Sequence, residues 1–158
     1  MRRVQPSIRK NGDNWLAILK EEDGPLLLEI LMDEMSCTYM ASALSKKELP
    51  MTTSHMALEF CMNCLQANIE QVAVYALTDG YFRARMTIRD QREDSTYAVE
   101  VNVIDAIILA VIAACPILVA EEVFKQSNEE TERTGRDYWT SRAQQAFNSM
   151  ASGSGTKM

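Results

Sequence analysis

Residues 106–120, AIILAVIAACPILVA, form a stretch without a single charge, bounded by Asp105 and Glu121. It is shorter than the roughly 20 apolar residues that a membrane-spanning helix needs, so it has to be buried in protein. Pro116 divides it. Proline lacks the backbone donor and disfavours helix in the residue before it, which predicts a helix ending at Cys115 and a short buried strand over 117–119. Asn102 and Asp105, three apart, stand at the start of this helix as an N-cap and an acidic N3 partner, in the manner of a capping box. An apolar helix joined to an apolar strand must be covered by other elements. A chain of 158 residues can supply them without a metal or disulfides.

The covering elements are legible in outline. Residues 1–14 are polar apart from Val4 and Ile8 and suggest only a weak first strand. Residues 15–20 and 26–32 are apolar runs on either side of Asp23-Gly24, a pair that supplies a positive-φ glycine to a tight hairpin. Asp33 can cap a helix whose Met35, Tyr39, Met40, Ala43 and Leu44 recur at helical spacing. Ser54 heads a second helix with Ala57, Phe60, Cys61, Cys64 and Leu65 as its apolar stripe, which would face the core. Residues 72–77, 81–89 and 96–103 alternate as strands and are joined by Asp79-Gly80 and the polar loop 90–94 into a three-strand meander. Further on, Trp139, Ala143, Phe147 and Met150 form a narrow helical stripe. The fold class is therefore α+β, a mixed or antiparallel sheet (a hairpin plus the meander) packed against helices, with a C-terminal helical appendage. The divisions expected are a domain over 1–126, an amphipathic helical segment over 127–151 and a flexible tail over 152–158.

Charge narrows the function classes. Sixteen Lys and Arg against twenty-two Asp and Glu give net −6, the wrong sign for non-specific capture of a polyanion. No secretory signal or membrane span is evident, so a cytoplasmic protein without membrane contact is expected, with its four cysteines reduced and buried. Cys61-Met62-Asn63-Cys64 has the spacing of a zinc or redox pair, but inside a helix and with no second pair it reads as core packing. Among groups able to do acid–base or metal chemistry the chain offers Glu34, His55, Glu59, Glu100 and Asp105. His55 could exchange protons near neutral pH. Asp33 and Glu34 could hold a metal ion or serve as partners of a helix dipole, and Asp105 could be cap or catalyst. Arg83, Arg85 and Arg89 alternate along one face of a strand, where they could meet phosphates or pair with carboxylates across the sheet, Arg85 opposite Glu100.

Over residues 15–124 the chain resembles the bifunctional nuclease family, α+β domains credited with DNase and RNase activity. The pieces that carry the resemblance are Asp105-Ala-Ile-Ile-Leu-Ala, Ala114-Cys-Pro-Ile-Leu-Val and Glu121-Glu-Val-Phe, with His55 and Asp79-Gly80-Tyr81-Phe82 in support. It implies metal-assisted hydrolysis of DNA and RNA, with Asp105, His55 and Glu34 as catalytic positions. Asp105 and Glu34 would hold a divalent metal, Mg or Mn, and Arg83 and Arg85 would contact the substrate. Two departures fall on polar positions. The family's Arg-Pro-Ser before the aspartate is Asn102-Val103-Ile104, and its Thr-His-Asp-Leu is Ser54-His55-Met56-Ala57. They define the competing expectation, a non-catalytic interaction protein that keeps the fold. The C-terminal stripe, anchored by Trp139 and Phe147, has to dock either on its own domain or on a neighbour, and of the two a homo-oligomer, most simply a dimer, is expected.

Overall fold

The two parts of the apolar stretch lie at the centre of the molecule. In the computed structural model, residues 117–119 are the middle strand of a seven-stranded sheet and the preceding helix lies against that sheet. The structure describes residues 1–153, with the side chains of 130–141, 152 and 153 left aside. Among the described residues the order is β1 (Arg2–Asn11), β2 (Asn14–Glu21), β3 (Leu27–Met32), α1 (Glu34–Ser45), α2 (Ser54–Cys64), β4 (Ala67–Thr78), β5 (Tyr81–Asp90), β6 (Ser95–Val101), α3 (Val103–Ala113), β7 (Ile117–Val119) and α4 (Glu121–Gly153). The sheet runs β3-β2-β1-β7-β4-β5-β6. All neighbours are antiparallel except β4 and β7, which run parallel, so the sheet is mixed and the class is α+β.

The first strand is far longer than its composition suggests. β1 pairs with β2 from Val4↔Glu21 to Asn11↔Asn14, while β7 meets only residues 2–4. Pro6 thus sits where β1 has a neighbour on one side alone, a position that tolerates a missing donor. Gly12, with φ of 62°, opens the two-residue turn of this hairpin.

The next hairpin, β2–β3, forms as expected, but not for the expected reason. Gly24 does not have a positive φ. A Cβ there would fall 2.0 Å from a carboxylate oxygen of Glu21, so a side chain at this position would displace that carboxylate. Glu21 is buried, accepts from the Leu26 amide at 3.3 Å and pairs with Arg2 at 3.4 Å. The β4–β5 turn does use the left-handed region, at Asp79 (φ 52°) and Gly80 (φ 79°).

Helices α1, α2 and α3 cover one sheet face, α3 touching both of the others. Ile107, Ile108 and Leu109 of α3 pack with Ala17, Leu19, Val72, Val74, Ala84 and Met86 of the strands. α3 ends at Ala113, two residues before the expected Cys115. Ala114 turns left-handed (φ 53°), and the Cys115 amide donates to Ala110 O at 3.0 Å, closing the helix before the proline. The apolar stripe expected to bury α2 faces outward instead. Met62 is buried, His55 and Glu59 are half-buried, and Ala57, Phe60, Cys61, Cys64 and Leu65 are exposed. Cys61 and Cys64 are therefore surface thiols and not core packing, whereas Cys37 is buried and Cys115 half-buried.

The chain forms two compact units, residues 1–124 and 125–158, and the helix α4 begins at Glu121 with Val123 and Phe124 buried in the first. Of the C-terminal stripe, Phe147 and Met150 are exposed, and the side chain of Trp139 lies outside the described residues. No helix among the described residues is long and apolar enough to cross a membrane.

Candidate active site

Two helix entries build the site. At α2 the cap is Thr53, one residue before the expected Ser54, and its hydroxyl accepts from the Met56 amide at 3.2 Å. That places His55 in the first turn, facing inward. At α3, Asn102 caps as expected, its Oδ1 accepting from the amides of Ile104 (3.0 Å) and Asp105 (3.4 Å). The Asp105 side chain turns to the neighbouring helix, where its Oδ1 lies 2.8 Å from Nε2 of His55. Two residues fifty positions apart are joined in one hydrogen-bonded pair. Tyr39 of α1 meets the imidazole edge-on, with ring centroids 5.8 Å apart, so all three covering helices converge here.

The pair is asymmetric. The His55 side chain is 11% exposed, that of Asp105 48%. Nδ1 of His55 is enclosed with no hydrogen-bonding partner in the protein. A proton there would have no acceptor, so the proton of the ring is assigned to Nε2, which donates it to Asp105. Oδ1 of Asp105 is thereby held, while no described hydrogen bond uses Oδ2. The geometry presents a carboxylate to solvent and backs it with an immobilised imidazole.

The pair lies where two helix N-termini meet. The C-terminal residues Met62 and Asn63 of α2 line the same cleft as Ala113 at the end of α3, and the N-terminal residues His55 and Asp105 touch, so the two helices run parallel. Their positive ends meet at one place.

The other expected site residues lie elsewhere. Glu34, exposed at the start of α1, has no described contact with His55 or Asp105 and is felt instead by Cys37, whose thiol burial and then Glu34 hold above its ordinary range. Glu59 accepts from Asn63 at 2.8 Å. Arg83 and Arg85 project from the sheet face opposite α3, because Ala84 and Met86 between and beyond them point into the core. The strand register sets Arg85 opposite Glu100 as expected, yet the ion pair is diagonal, Arg83 to Glu100 at 2.9 Å. Arg85 lies over the Tyr75 ring, 4.3 Å from its centroid. Arg89 pairs with Glu70 and Asp94.

A resident Mg or Mn ion needs several oxygen ligands. Among the described residues no group of three or more His, Cys, Asp or Glu side chains could hold one. A single carboxylate with one oxygen already engaged does not make a cage.

The class is an α+β domain in which a half-buried histidine holds a solvent-facing aspartate where two helix N-termini meet. The family is settled by sequence: the model of the bifunctional nuclease domain matches residues 17–132, and the chain belongs to that family. No curated protein matches the chain.

Proposed function

We propose that the His55–Asp105 pair is the centre of a nuclease site that hydrolyses phosphodiesters in DNA and RNA. The observation that carries this reading is the 2.8 Å hydrogen bond between Nε2 and Oδ1 at the meeting point of two helix N-termini. Hydrolysis needs a water relieved of a proton as it attacks phosphorus, and stabilisation of the charge that develops on the phosphoryl oxygens. Asp105 faces solvent and takes the water's proton on the oxygen not bound to His55 as the water oxygen bonds to phosphorus. It returns that proton to the leaving sugar oxygen as the old P–O bond breaks, which restores the carboxylate. His55 acts as a positioning residue: Nε2 is committed to the carboxylate and Nδ1 is enclosed, so it fixes the aspartate's orientation without touching substrate. The converging helix ends supply positive potential to the phosphate, which matters more in a molecule of net charge −6 than in a basic one. Arg83 and Arg85, on the opposite sheet face, take no part at this centre.

Cleavage of single-stranded DNA and of RNA by the purified protein, wild type against Asp105→Ala, tests the reading. It expects cleavage by the wild type and a loss of about a hundredfold or more in the variant, the usual scale for removal of a positioned acid–base group. Parallel reactions with Mg, Mn and a chelator report whether an ion enters with the substrate. Equal cleavage by Asp105→Ala would place the chemistry elsewhere, and no cleavage under any condition would favour the non-catalytic interaction protein.

A further inference from the structure

We propose that the outward face of α2 is the contact between two copies of this chain. The face comprises Ala57, Leu58, Phe60, Cys61, Cys64 and Leu65, all exposed, with Phe60 at 68% and Leu65 at 57%. At 100° per residue they cover a continuous arc of the helix opposite His55 and Met62. No charged residue lies on it, since the one carboxylate of α2, Glu59, is half-buried on the other side and bonded to Asn63. A surface helix normally turns its apolar face to its own core. Here the face carrying His55, Glu59 and Met62 turns inward, and the apolar face is left outside.

Charge and size select the occupant. A chain of net −6 meets repulsion when most of its surface faces a copy of itself, and an uncharged face removes that obstacle. Across a two-fold axis the face is self-complementary: Ala57, Cys61 and Cys64 run down its middle and let two helix axes approach, while Phe60 on one flank and Leu58 and Leu65 on the other fill the partner's sides. The exposed apolar area is on the order of 500 Å² per copy, so a dimer buries roughly 1,000 Å², near the lower limit for a specific interface. The dimer is therefore concentration-dependent rather than obligate.

Sedimentation velocity from low micromolar to several hundred micromolar tests this on the full chain. The wild type is expected to shift from monomer to dimer. Phe60→Glu should move the midpoint at least tenfold higher, with unchanged circular dichroism and melting temperature at low concentration. Leu65→Lys probes the other flank in the same way, and alkylation of Cys61 and Cys64 should slow as the dimer forms. Phe147→Glu, on the exposed stripe of α4, should leave the midpoint where it is. A monomer at every concentration, a dimer indifferent to Phe60→Glu and Leu65→Lys, or an equal response to Phe147→Glu, which would make α4 the occupant, overturns the proposal.

Discussion

Asp105 shows how one side chain can satisfy two readings of a sequence. Three residues after an N-cap it looks like a dipole partner, and the cap is real, but Asn102 makes it alone while the carboxylate goes to His55. Asn102→Ala should cost about 1 kcal/mol in chemical denaturation, because two amides lose their acceptor. Ala114 offers the opposite case. An alanine held at φ 53° pays a steric cost that glycine does not, so Ala114→Gly should raise stability by about 0.5 kcal/mol, net of the greater freedom of the unfolded chain, and a lower melting temperature would refute that assignment. Burial pushes the Cys115 thiol up to about 11 from an ordinary value of 9.0. Both states keep the proton below pH 9. Between pH 9 and 11 the unfolded chain loses it while the folded one retains it, so this group's contribution to stability falls as pH rises through that window. Cys115→Ala should flatten that part of the stability profile relative to the wild type.

Among the elements, legibility followed how far local chemistry decides the outcome. The helix from Val103 and the strand Ile117–Val119 were readable because an uncharged run has only one place to go and Pro116 separates its parts. Alternation in β5 was readable because Ala84 and Met86 really are buried and the arginines really are exposed. β1 was not, since a strand between two neighbours is defined by pairing and not by its own apolar content. α2 misled most: its apolar periodicity is real, but the face that turns inward carries His55, Glu59 and Met62, with His55 bonded to a residue fifty positions away, an outcome of tertiary packing that no local pattern carries. For the same reason His55 and Asp105 could be nominated separately and not as a pair. With Cys61 and Cys64 exposed, no cavity follows their truncation. The double change Cys61→Ala, Cys64→Ala should alter the low-concentration stability of the monomer by less than about 0.5 kcal/mol, where core thiols would have cost more.

At the scale of the molecule, the first unit, residues 1–124, contains the sheet, the three covering helices and the His55–Asp105 pair, while the family match extends past it to residue 132. The two departures from the family pattern leave the His55–Asp105 hydrogen bond in place. Asn102 stands in the Arg-Pro-Ser segment and caps α3, and the residue after His55 is the exposed Met56, while His55 is bonded to Asp105 on α3. In the proposed function His55 and Asp105 work as one unit in phosphodiester hydrolysis. A double-mutant cycle on kcat/KM, with His55→Gln, Asp105→Asn and their combination on one single-stranded substrate, tests it most directly. Groups acting as a unit give non-additive losses, so the double variant should be scarcely slower than Asp105→Asn alone. Losses that multiply, or a His55→Gln enzyme as fast as the wild type, would contradict it.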